Sequence, residues 1–195
     1  NSITTANMKL TSLVTLAVLT TSLSGCGQSS ITMTNGTQLT CLTGTWNQTT
    51  ADLQNQYDQI IPANIKATVS SGTTAFTFNA DNTFVQQISN VKVQSSVAGP
   101  GLDPEVAKNL TMEISMNGSI KGQYSADTTN TIYLDNIDAS NLTSSTTMNG
   151  EPMMNSQSMG MMPGARTKVS ATCSGNQLTL NYHVAERIIT LHLSR

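Results

Sequence analysis

Residues 168–182 read Lys168-Val169-Ser170-Ala171-Thr172-Cys173-Ser174-Gly175-Asn176-Gln177-Leu178-Thr179-Leu180-Asn181-Tyr182. Apolar and polar side chains alternate on both sides of Ser174-Gly175-Asn176. That period of two puts one kind of side chain on each face of a strand and cannot make an apolar stripe on a helix. The three residues between supply the left-handed backbone and local hydrogen bonds of a turn. The stretch therefore predicts an antiparallel hairpin. A further strand follows it, because Ile189, Leu191 and Leu193 alternate after Ala185-Glu186-Arg187.

The same period recurs upstream. Phe76 and Phe78 flank Thr77, Asn79-Ala80-Asp81-Asn82 reads as a turn, and Phe84 resumes a strand that continues through Val91, Val93 and Val97. Gly99-Pro100-Gly101 and Asp103-Pro104 mark a loop, with a helical turn over 105–108. Leu110, Met112, Ile114 and Met116 share one face, Asn117-Gly118 is a strong two-residue hairpin signal, and Ile120, Gly122 and Tyr124 return. Ile132, Leu134 and Ile137 mark another strand. One helix is expected, capped by Thr49 or Thr50, with Leu53, Tyr57, Ile60 and Ile61 at helical spacing and Pro62 ending it. These segments predict an all-β domain over residues 41–195, a single antiparallel up-and-down barrel of about eight strands that removes its own edges. A β-sandwich is the alternative, since alternation is the same in both.

Ahead of this domain, Met8 and Lys9 lead into the apolar run Leu10 to Leu23. Spanning a bilayer takes ~20 mostly apolar residues, and this run is shorter and broken by Thr and Ser, so it reads as an export signal over residues 8–25. Residues 1–7 carry no structural role in this reading. The next residues, Leu23-Ser24-Gly25-Cys26, resemble the lipobox of bacterial lipoproteins. That resemblance implies that Cys26 is acylated, palmitate included, and anchors the chain to a membrane. Gly27, rather than Asp, follows the cysteine, which by the enterobacterial sorting scheme implies the outer membrane, facing the periplasm. Residues 26–40 are Gly, Gln, Ser, Thr and Asn with few apolar side chains, a flexible tether.

Cys41 and Cys173 remain. An even pair in an exported chain suggests a disulfide closing a loop of about 130 residues, against the alternative of two buried thiols. Gly44-Thr45-Trp46, near the start of a strand-rich exported domain, resembles the Gly-x-Trp motif of lipocalins. The resemblance implies a lipocalin-like barrel in which Trp46 plugs the closed end and an arginine of the last strand packs over it. Ile189, Leu191, Leu193 and Arg195 share one parity, so Arg195 is the candidate; the other reading leaves it in solvent. Tyr133-Leu134-Asp135 does not reproduce the Thr-Asp-Tyr motif of many lipocalins, which limits the likeness to the broader lipocalin-like class.

The chemistry-bearing residues are few. The chain has 9 Lys+Arg against 11 Asp+Glu and a net charge of −2, with nothing basic concentrated, so nucleic acid is not an expected partner. His183 and His192 fall on the polar faces of their strands; if residues near 183 and 188 pair, the two rings are ~13 Å apart, too far to share a metal. Asp135 and Asp138 lack the spacing of a calcium loop. No nucleophile motif, phosphate loop or zinc spacing occurs, and an enzyme is not expected. One oddity is a Met-rich insertion over about 141–166, with Met148, Met153, Met154, Met159, Met161 and Met162. Thioethers are soft donors that select Cu(I), and such runs resemble segments of periplasmic copper-handling proteins. The first expectation is a non-enzymatic, membrane-anchored module for a small apolar ligand or for envelope maintenance, without a cofactor. Copper(I) binding or buffering through the Met-rich loop is the alternative.

Overall fold

The computed structural model describes residues 41–61, 65–96, 110–127, 129–153, 166–184 and 187–195. Cys26, the export signal, Pro62, Val97 and the expected helical turn at 105–108 lie outside them. In chain order the elements are β1 (Gly44–Gln48), α1 (Thr50–Ile60), β2 (Lys66–Phe78), β3 (Thr83–Ser96), β4 (Thr111–Ala126), β5 (Thr131–Met148), β6 (Glu151–Pro152), β7 (Thr167–Ser174), β8 (Gln177–Val184) and β9 (Arg187–Ser194).

β1 through β5 each pair antiparallel with the next strand, β5 pairs with β7, and β7, β8 and β9 continue the meander. The ring closes where Asn47 of β1 meets Ser194 of β9. Eight strands thus form a closed up-and-down barrel, and β6 is a two-residue addition to the outer edge of β5. The expected barrel is what forms, not the sandwich.

Strand length is uneven, and this shapes the molecule. β2 to β5 have 13, 14, 16 and 18 residues, whereas β7, β8 and β9 have 8 each and β1 has 5. The eight barrel strands come together at one end, through the turn at 79–82, the connection from β4 to β5 and the turn at 175–176. At the other end the long strands overshoot the short ones. We call these the closed and the wide end.

Strands this long coil to follow the barrel, and they bend where one residue takes a positive φ. Here the expected hairpin at Asn117-Gly118 is corrected: β4 runs straight through it. Gly118 has φ +128°, and a Cβ there would collide with the Asn141 carbonyl oxygen of β5. The backbone freedom that makes Asn-Gly a turn signal is used for a bend at close approach. The Asn117 side chain accepts from the Asn90 N–H at 3.2 Å, and Asn90, at φ +49°, bends β3 alongside. Pairing of β3 with β4 resumes on both sides, at Ile88↔Gly118 and Val91↔Met116, so no room exists for β4 to fold back on itself. A second difference concerns the insertion expected from residue 141. β5 continues to Met148, paired with β4 throughout Asn141–Met148, because the β-branched Thr143, Thr146 and Thr147 suit a half-exposed strand.

α1 starts on a capping box: the Asp52 N–H donates to Thr49 Oγ1 at 3.2 Å, and the Thr49 N–H donates to Asp52 Oδ2 at 3.0 Å. Its buried face carries Leu53, Gln56, Tyr57 and Ile60. Two apolar clusters fill the domain. One, at the closed end and along the short strands, is built on Trp46, Phe76, Phe78, Phe84, Tyr124, Leu178, Leu180, Tyr182, Leu191 and Leu193. The other lies between α1 and the overshooting strands, with Leu53, Tyr57, Val69, Val91, Val93, Ile114, Met116 and Leu142.

Candidate functional site

At the closed end Trp46 is fully buried, and its indole N–H donates to the Leu42 carbonyl at 2.7 Å. The Arg195 guanidinium lies over the ring, its Cζ 3.9 Å from the centroid. Its Nη2 donates to the carbonyls of Cys41 and Thr43 at 2.7 and 2.6 Å, while the Arg195 backbone N–H reaches the Asn176 carbonyl at 3.0 Å. Gly44 lets the guanidinium sit there: a Cβ on it would stand 3.2 Å from Nη2, and its φ is +121°. Cys41 and Cys173 form a disulfide with Cα atoms 6.1 Å apart, joining the entry to β1 with the end of β7. The structure thus brings Gly44, Trp46, Arg195 and the disulfide together at one pole. Phe78 meets Tyr124 edge-on at 5.2 Å below them, and the Tyr124 hydroxyl donates to the Asn79 carbonyl. In the adjoining turns Asp81 and Asp127 sit below their ordinary carboxylate range, chiefly because the Thr83 and Thr129 side chains hydrogen-bond to them. These contacts tie the entry to β1, the last residue of the chain and the adjoining turns to one another, the arrangement of a plug.

The wide end is closed differently. β1 is too short to cover the upper edges of β2 and β9, and α1 lies in the gap. Gln54 pairs with the bared edge of β2 as another strand would: its Nε2 donates to the Ala67 carbonyl at 3.0 Å, and its Oε1 accepts from the Val69 N–H at 2.7 Å. Gln59 does the same to β9, donating to the Thr190 carbonyl at 3.0 Å and accepting from the Thr190 N–H at 2.8 Å. Beneath, Gln48 donates to Gln56 at 2.9 Å and accepts from the Thr74 hydroxyl at 2.7 Å, so the buried amides are satisfied. Sequence reasoning missed these glutamines, because a Gln on a helix surface carries no signal of what it faces. Between α1 and the start of β2 opens a groove of about 600 Å³, lined by Gln54, Asp58, Ile61, Ile65, Lys66, Ala67 and Thr68.

The chain matches no family model, no curated protein and no solved structure.

His183 pairs with Ile188 and His192 with Thr179, both rings exposed on the outer face. Asp135 pairs with Arg166 at 3.4 Å, and that guanidinium also covers the Tyr133 ring, 4.2 Å from its centroid. Asp138 accepts from the Ser140 N–H at 2.9 Å. Among the described residues no three His, Cys, Asp or Glu side chains gather as a metal site. Of the six methionines singled out in the sequence, Met148 ends β5 and Met153 follows β6; Met154, Met159, Met161 and Met162 lie outside the described residues.

Proposed function

We propose that this chain is a non-enzymatic envelope module, tethered through acyl chains on Cys26 to the periplasmic face of the outer membrane, that holds a small apolar molecule at its wide end. The observation that carries the reading is the groove beside α1. It is of ligand size, and its Ile61 and Ala67 continue into the apolar cluster under the helix. The closed end, in contrast, is packed solid with Trp46, Phe78, Leu178, Leu180 and Leu193. Thr45, Gln87, Lys92, Gln94 and Gln123 make the outer strand faces polar, so anchoring falls to the lipid and not to a lipid-facing barrel wall.

Two measurements test this. Exported protein carrying Cys26→Ser is expected in the soluble fraction, folded and with its disulfide intact; retention in the membrane would contradict the anchor. A fluorescent fatty-acid probe is expected to bind that soluble protein saturably at one site. Ile61→Asp, which sets a charge in the groove, is expected to weaken binding at least about tenfold, or ~1.4 kcal/mol. Absence of saturable binding, or binding indifferent to Ile61→Asp in a folded variant, would overturn the ligand reading.

A further inference from the structure

The register of the wide end gathers thioethers from three adjacent strands. Met112 of β4 stands directly opposite Met148 of β5. The neighbouring pair is hydrogen-bonded, with the Asn149 N–H donating to the Thr111 carbonyl at 2.8 Å. Hydrogen-bonded and non-hydrogen-bonded pairs alternate along an antiparallel ladder, so Met112 and Met148 form a non-hydrogen-bonded pair. That is the closer type, with Cα atoms about 4.5 Å apart and side chains on the same face. β6 adds the third. Met148 faces Glu151, and one step along the Met153 N–H donates to the Thr146 carbonyl at 2.9 Å, which extends the same ladder. Met153 therefore shares the face of Thr146 and Met148 and stands diagonal to Met148, at roughly 7–8 Å. Met112 and Met148 are half-buried and Met153 is 45% exposed, so the trio forms a rim reachable from solvent.

Next to it, on the other side of Met112, is Ser95 of β3, its direct cross-strand partner. Ser95 is 7% exposed, and its buried hydroxyl oxygen has no hydrogen-bond partner among the described residues. Ser95 stands between Ala67 of β2 and Met112 of β4. Buried polar groups are nearly always satisfied, so its hydroxyl leaves a place for a further group at the inner edge of the rim, beside Met112.

We infer that Met112, Met148 and Met153 form a site for a single soft monovalent cation, Cu(I) or its congener Ag(I). Thioether sulfur is a neutral, polarisable donor that favours such ions over Mg²⁺, Ca²⁺ or Zn²⁺. Methionine is unbranched and freely rotating, so three of them across neighbouring strands converge on an ion without moving the backbone. The site moves the copper expectation in two ways: Met112, far upstream of the Met-rich stretch, becomes a ligand, and the sheet supplies the preorganisation that a stretch of methionines lacks on its own. None of the three methionines lines the groove beside α1, although Ser95 is also the cross-strand partner of groove-lining Ala67.

The test uses the exported Cys26→Ser chain with the tether and every other methionine in place. Cu(I) affinity is measured anaerobically by competition with a chromophoric chelator, with ascorbate holding the copper as Cu(I) and sparing the disulfide. Binding of one Cu(I) per chain is expected. Met112→Leu, Met148→Leu and Met153→Leu are each expected to weaken it at least tenfold, while changing Met154, Met159, Met161 and Met162 together to Leu shifts it less than threefold. Met-to-Leu conserves volume, and far-UV circular dichroism verifies the fold of each variant. In the unmutated chain with methyl-labelled methionine, Ag(I) is expected to move the signals of Met112, Met148 and Met153 ahead of the others. Absence of Cu(I) binding, loss of it only in the fourfold variant, or Ag(I) shifts that spare Met112 would each overturn the site.

Discussion

At one pole of the barrel Trp46 lies under Arg195, between short turns and beside the Cys41–Cys173 bridge; at the other, strands of 13 to 18 residues rise past partners of 8 and are closed by a helix. Both poles close the same sheet. The first does so with ring stacking, a covalent bond and carbonyls capped by one guanidinium. The second does so with two glutamine side chains that imitate strand edges. Covalent and fully buried contacts hold their geometry at every instant, whereas a helix attached through amides at its flanks opens locally at lower cost. The difference explains why the groove and the thioether rim occur together at the wide end. A recognition surface needs reachable side chains on a fixed support, and here the closed end is the support.

The closed end is disturbed most by removing the bridge. Cys41→Ser with Cys173→Ser frees a loop of sequence separation 132, for which the chain-entropy account gives about 4–5 kcal/mol, and the loss is expected in denaturant midpoints of the purified Cys26→Ser chain. A loss under 1 kcal/mol would show that the closed end does not depend on it. Next in size is Gly118→Ala, which meets both the Asn141 carbonyl and a positive φ; about 1–3 kcal/mol is expected, read by thermal unfolding. If Asn117-Gly118 were instead a hairpin turn, open to solvent, Ala would cost only the backbone strain and leave β5 undisturbed. The smallest effect sharpens the contrast. Gln59→Ala is expected to cost about 1 kcal/mol and to speed amide exchange at Thr190 while leaving Leu178 and Leu180 protected.

The barrel was legible because its signals are local and repeated. Phe76 and Phe78, Leu178 and Leu180, and Ile189 to Leu193 each alternate over a few residues beside a turn, and eight such strands leave a sheet little choice but to close. The helix was legible from Thr49 and the spacing of Leu53, Tyr57 and Ile60. Asn117-Gly118 has the signature of a turn because sequence records the backbone freedom of a residue pair but not whether a neighbouring strand lies against it. Residues 141–148 look like an insertion because they are mostly Ser and Thr, whose alternation has no hydropathy contrast. The glutamines that seal the seam and the alignment of Met112 with Met148 depend on which strands lie side by side, and that is fixed by the whole sheet. The parity of Arg195 with Leu193 was enough to nominate it, while its contact with Trp46 required the barrel to close.

The division of labour between the two poles is tested most directly by residue-resolved native-state hydrogen exchange on the purified Cys26→Ser chain. Amides of β8 and β9 near the closed end, Leu178, Leu180 and Leu193, are expected to exchange only through global unfolding, following the denaturant dependence of the whole domain. Amides of α1 and of Val69, held by the Gln54 side chain, are expected to exchange through a smaller opening with little denaturant dependence. Uniform protection across both poles, or earlier exchange at Leu178 and Leu180 than at α1, would contradict the account.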